Sequence, residues 1–283
     1  MAKIYDALRR AEQERRKLGE EAAPVARLDW EPEVPVEAER KPAPPSESLF
    51  RRLWPKKPVA SEAGDINKRR VALLQPDSFV AEQFRGLRGR IDALESAERP
   101  LRTVAIASAL PGEGKTTASI NLALVTALSL GRRVLLVDCD LRRPNVHRAL
   151  GIQPKAGLAE VLTGESTLED AIQIADGANL EVLPVKAKPA NPSELLGSPA
   201  MSELIAEVAR RYDRVILDTP AALGLPDAKA IADQCDGLVM VVRADQTRQE
   251  DVQTVLEIMD RDRLLGVVLN GTASQEGRYG YTS

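Results

Sequence analysis

Six short apolar runs recur between residues 103 and 270: "TVAIAS" (103–108), "RVLLVD" (133–138), "LEVLPV" (180–185), "RVILD" (214–218), "GLVMVVR" (237–243) and "LLGVVLN" (264–270). Stretches with helical periodicity, such as "TASINLALVTALSL" and "QEDVQTVLEIMD", separate most of them. Strands that are apolar on both faces need cover on both faces, and strand–helix–strand units close by right-handed crossovers. The pattern predicts an α/β fold, a mostly parallel twisted sheet with helices on both faces. Aromatic residues make up only 3% of the chain against 43% hydrophobic residues, so Val, Leu, Ile and Ala must fill the core. Ligands of such sheets gather beyond the carboxyl ends of the strands.

The flanks have a different character. Residues 1–20 predict a short charged amphipathic helix, with Ile4, Leu8 and Ala11 as a narrow apolar stripe. Residues 21–71 read as a Pro-rich disordered linker: eight of the 19 prolines fall between Pro24 and Pro58, among residues too polar to offset their ordering entropy by burial. Within it, "FRRLWPKKP" is either a solvated stretch or a basic, aromatic contact for an acidic membrane surface or a partner. The ordered domain is predicted over 72–275, followed by a flexible tail, 276–283, that holds Tyr279 and Tyr281, two of only four tyrosines. A net charge of -3 gives no footing for nucleic acid. No apolar run approaches the roughly 18 to 20 residues that span a bilayer, and the first residues lack a secretory signal, so a cytoplasmic protein is expected. Cys139 and Cys235 have no metal-ligand spacing and read as reduced core thiols, and the single His147 makes a poor metal site.

The first strand runs into "SALPGEGKTT" and then directly into a helix. Gly112 and Gly114 let the backbone turn so that successive N–H groups face a phosphate at a helix N-terminus. Lys115 adds a point charge for the β and γ phosphates of ATP, and the Thr116 hydroxyl is a ligand for Mg²⁺. The loop from Pro111 through Glu113 to Thr117 is thus the predicted phosphate cradle of a P-loop NTPase, although Ala109 stands where the first glycine of the motif is usual. Two further acidic sites close strands. "VLLVDCDLRRP" sets Asp138 and Asp140 two residues apart, facing one crevice, and "RVILDTP" ends its strand on Asp218, the position of a Walker B carboxylate that acts through Mg²⁺.

These three segments resemble the Walker A, A′ and B motifs of the bacterial tyrosine kinases (BY-kinases), the autokinases of capsule and exopolysaccharide export. "ANPSELLGSPAM", "GVVLN" and "EQFRGLR" are similar to family features as well, and the likeness spans about residues 72–270. In "EQFRGLR", Glu82, Arg85 and Arg88 match an E-x-x-R-x-x-R motif that implies ring-like self-association. From the residues alone they recur every third position and fan across one charged helix face. The opening "MAKIYDALRRAEQ" resembles free-standing kinases of exopolysaccharide and exosortase loci.

The resemblance implies a non-specific protein-tyrosine kinase that uses Mg·ATP to phosphorylate tyrosines, chiefly Tyr279 and Tyr281 on a neighbouring copy. Lys115 would neutralise charge on the transferred group, Thr116 and Asp138 would hold Mg²⁺, and Asp218 would orient its water shell. Asp140 or Asp138 would take or position the tyrosine proton, because a free hydroxyl with a pKa near 10 attacks poorly unaided. Asn270 would contact the adenine. A separate membrane protein of the chain-length-determining type would activate the kinase and recruit it to the membrane. Two departures stand out: Ala221 replaces the second proline of "DTPP", and the tail carries two tyrosines in place of a longer cluster. The competing reading is a partitioning or division-site ATPase that acts as a localisation switch. Its phosphate loop carries an additional lysine where this chain has Leu110.

Overall fold

The structure, a computed structural model, describes residues 70–129 and 131–272. The expected N-terminal helix, the linker up to residue 69 and the tyrosine tail lie outside the described residues. Seven strands form one sheet: β1 Thr103–Ser108, β2 Val134–Asp138, β3 Gln173–Ile174, β4 Glu181–Leu183, β5 Arg214–Asp218, β6 Gly237–Arg243 and β7 Leu264–Asn270. Their order across the sheet is β3-β4-β2-β5-β1-β6-β7. Every pairing is parallel except that of β3 with β4. The short antiparallel edge strand β3 is absent from the sequence reading, because two residues offer no alternation to detect.

The strands divide their side chains with a period of two. Ala105 and Ala107 of β1, Leu135 and Val137 of β2, and Val215 and Leu217 of β5 pack into one core. Val104 and Ile106, Val134 and Leu136, and Ile216 face the other. The first core is closed by helices that include α5 Leu158–Leu162, α8 Pro199–Arg211 and α10 Gln249–Ile258. The second is closed by α1 Val71–Leu74, α2 Phe79–Leu94, α3 Lys115–Ala127 and α4 Val146–Leu150. Helices α6 Leu168–Ala171, α7 Pro192–Leu196 and α9 Asp227–Ala232 also pack into the first core. The expected α/β architecture with helices on both faces is therefore present.

Helix α3 begins at the P-loop and is buried along nearly its whole length, from Lys115 through Ala127. A helix that is apolar on every side has to sit inside a fold, and α2 supplies its outer cover. Arg88 of α2 donates through Nη1 to the Val125 carbonyl at 2.8 Å and to the Ser129 hydroxyl. Carbonyls in the last turn of a helix have no partner within the helix, and a cation there also offsets the negative end of its dipole. The "EQFRGLR" segment therefore does not present all three charges outward as its spacing suggests. Arg85 pairs with Glu82 and donates to the Pro76 carbonyl at 2.7 Å, whereas Arg88, nearly as exposed, reaches across to the end of α3.

Candidate active site at the carboxyl edge of the sheet

The loop between β1 and α3 takes left-handed backbone at Gly112 (φ 85°) and Gly114 (φ 103°), which explains glycine at both. Ala109 has no such requirement: Asp245 is the one non-glycine residue with positive φ among the described residues, and Ala109 is fully buried in the core. A glycine at the first motif position is dispensable here. Leu110, 36% exposed, offers no charge at that position. Among the described residues no carbonyl accepts from the N–H groups of Gly112, Glu113 or Gly114. Free N–H groups in left-handed turns at the start of a 13-residue helix make a concavity suited to phosphate. Lys115, in the first turn, is buried and lies close enough to Asp218 to favour that residue's ionised form.

Asp138 and Asp218 end adjacent parallel strands and are direct register partners, so their backbones stand about 4.8 Å apart. Both carboxylates are fully buried. Asp138 accepts the Asp140 N–H at 3.2 Å on Oδ1 and the N–H groups of Asn145 and Val146 at 3.1 Å on Oδ2, capping α4. Burial and the neighbouring Asp218 nevertheless hold its pKa well above the usual carboxylate range. Asp218 accepts from the Ser119 hydroxyl at 2.9 Å and from Thr116. Burial pushes its pKa up to about 6 against the opposing effect of these donors and Lys115. Two buried carboxylates beside a threonine hydroxyl have the chemistry of a divalent-cation site, since the ion would supply the charge that the chain leaves unbalanced.

Asp140 is the accessible carboxylate of the group. It is partly exposed and accepts the Arg143 N–H at 2.8 Å on Oδ1 alone. Its loop is anchored by Arg142, whose Nε donates to Asp227 Oδ2 and whose Nη2 donates to the Ser193 hydroxyl, both at 2.8 Å. Asp227 is buried, so this ion pair joins the loop after β2 to α7 and α9. Asn270, expected against adenine, sits at the end of β7 with its amide nitrogen 2.8 Å from the Glu113 carbonyl, on the P-loop itself.

The fold thus brings Lys115, Thr116, Asp138, Asp140, Asp218 and Asn270 to one edge. Tyr279 and Tyr281 lie outside the described residues, and Glu82, Arg85 and Arg88 sit on α2, remote in sequence from every motif of the edge. Sequence reasoning did not single out Ser119, Arg142, Ser193 or Asp227. Arg142, Ser193 and Ser119 stand within the quoted stretches "VLLVDCDLRRP", "ANPSELLGSPAM" and "TASINLALVTALSL", but Arg142 meets Ser193 and Asp227 across 51 and 85 residues of chain. The two cysteines are free and buried, and burial raises both thiols.

Comparison with known proteins agrees with this geometry. A family model described as AAA domain matches residues 101–263. Tyrosine-protein kinase YwqD of Bacillus subtilis (strain 168) is 40% identical over 214 residues, covering 75% of this chain and 90% of that protein. The succinoglycan biosynthesis transport protein ExoP of Rhizobium meliloti (strain 1021) is 36% identical over 216 residues, 74% of this chain but only 27% of that longer protein. Among solved structures, the kinase domain of the Escherichia coli tyrosine kinase ETK superposes with a TM-score of 0.67 at 31% identity, covering 75% of this chain and 84% of that one. The cell division ATPase MinD of Pyrococcus furiosus gives a TM-score of 0.53 at 30% identity, over 60% of this chain and 71% of that one. Among the described residues no helix is long and apolar enough to cross a membrane.

Proposed function

The chain belongs to the bacterial tyrosine-protein kinases and carries their nucleotide-binding P-loop domain, and from that premise we propose that it transfers the γ-phosphoryl group of ATP to tyrosine hydroxyls, first of all Tyr279 and Tyr281 on a neighbouring copy. The observation that carries the proposal is the meeting of Lys115, Thr116, Asp138 and Asp218 at one strand edge, with Asp138 and Asp218 in register.

The free N–H groups of the loop hold the phosphate chain, and Lys115 balances the charge that develops on the transferred group. Thr116, Asp138 and Asp218 would hold Mg²⁺, which would draw charge from the phosphate oxygens. Asp138 is buried and committed to the cation and to three backbone N–H groups, so the partly exposed Asp140 is the carboxylate left to accept or orient the phenolic proton. Polymer export is the setting suggested by relatives such as ExoP, with a membrane-bound chain-length-determining protein as activator and Glu82, Arg85 and Arg88 in a ring-like contact. The localisation-switch reading shares the fold, but Leu110 withholds the lysine on which its dimer mechanism depends.

The test is incubation of the full chain and its activator with labelled ATP. We expect phosphotyrosine that disappears in the Tyr279→Phe/Tyr281→Phe variant while nucleotide binding persists. ATP hydrolysis without any phosphotyrosine would sink the kinase reading.

A further inference from the structure

Around the phosphate loop lies a set of contacts that neither the motifs nor the nucleotide chemistry demands. Glu113 is only 3% exposed. One carboxylate oxygen accepts the Leu110 N–H at 2.9 Å, and the other accepts the Thr247 hydroxyl. Arg243 donates from Nη1 to the Gly112 carbonyl at 2.9 Å, while Asn270 donates to the Glu113 carbonyl at 2.8 Å. These three donors come from the ends of β6 and β7 and the turn after β6. That turn is itself rigid: the Arg243 N–H donates to Thr247 Oγ1 at 2.9 Å, the Thr247 N–H to the Arg243 carbonyl at 3.0 Å, and the Ala244 N–H to the Asn270 carbonyl at 2.8 Å. Asp245 within it adopts φ 58°.

In a trans peptide the carbonyl and the following N–H point in opposite directions. No peptide bond of the described residues is cis. Holding the Gly112 and Glu113 carbonyls towards β6 and β7 therefore aims the Glu113 and Gly114 N–H groups the other way, into the concavity. We infer that Arg243 and Thr247 are positioning residues for phosphate binding: together with the Glu113 carboxylate they hold the loop's N–H groups in their binding orientation before any nucleotide arrives. The inference rests on the loop binding nucleotide phosphate and is independent of kinase activity.

The experiment uses the full chain and compares its affinity for ADP and for AMP, which lacks the β-phosphate that the loop would hold. Thr247→Val keeps the shape and removes the hydroxyl. Its ADP affinity should fall by about tenfold, the effect of one lost hydrogen bond to a charged group, with AMP affinity unchanged. Thr247→Ser should restore ADP binding. In a double-mutant cycle, Glu113→Gln and Thr247→Val should be non-additive. Arg243→Gln, whose shorter side chain does not reach the Gly112 carbonyl, should show the same loss of ADP over AMP and keeps the inference testable if Thr247→Val does not fold. Equal losses for ADP and AMP, or wild-type ADP affinity in Thr247→Val, would overturn the positioning role. Absence of phosphotyrosine in the wild-type chain, with the variants still showing the expected ADP losses, would instead count against the kinase reading alone.

Discussion

Strand β5 is five residues long and carries a buried charge at each end, Arg214 at its start and Asp218 at its close. The two ends are managed in opposite ways. Arg214 Nη2 donates to Asp92 Oδ1 and to Glu95 Oε2, both at 3.0 Å, and Asp92 also accepts from Arg132 at 2.8 Å. Charges of opposite sign meet there, all supplied by the chain, although burial still draws the Arg214 pKa down and its Nη1 has no partner among the described residues. At the other end Asp218 faces Asp138, with Lys115 as the neighbouring cation, and burial lifts both carboxyl pKa values. A charge buried for structure is matched internally, because an uncompensated one costs several kcal/mol. A charge left unmatched marks the place where something that arrives and departs completes the balance.

The largest break in this contrast comes from emptying the functional end. Lys115→Ala should lower phosphoryl transfer by about a thousandfold, the upper range for losing one preorganised charge partner of a transition state, measured as the initial rate of phosphotyrosine formation, with thermal stability of the nucleotide-free protein nearly unchanged. Next is the paired end. Arg214→Leu leaves Asp92 and Glu95 facing an apolar hole, and urea unfolding should register a loss of about 3 kcal/mol with nucleotide affinity retained in the folded fraction.

The smallest effect sharpens the comparison through pH. Asp218 has its folded pKa raised from 3.8 to about 6, chiefly by burial. Folding therefore favours its protonated form: the contribution is fully present below the unfolded value and is lost as pH rises through about 6. Without divalent cation, the protein should lose up to about 3 kcal/mol relative to Asp218→Asn between pH 4 and pH 7. Thermal unfolding of both at pH 5 and pH 7.5 checks the sign, and a flat difference would mean that the two ends of β5 are not handled differently after all.

Why one end was legible and the other not follows from the range of the interactions. The strand runs at 103–108, 214–218, 237–243 and 264–270 coincide with observed strands, and the P-loop stands where its strand and helix place it, because these signals lie within a dozen residues. The Arg214 cluster joins residues 119 and 122 positions apart, and Thr247 meets Glu113 across 134. No local pattern encodes such pairs. Strand order was likewise unreadable, since β5 inserts between β2 and β1 only once helices have covered both faces. Arg88 shows a third limit: spacing assigned it to a charged face, but an open helix end elsewhere claimed it.

That contact has a mechanical side. Helix α3 is about 20 Å long at 1.5 Å per residue, and it is gripped at both tips, by the phosphate loop at one and by the Arg88 guanidinium at the other. One guanidinium on the outer helix thus shares a single rod of backbone with the phosphate loop at its far tip.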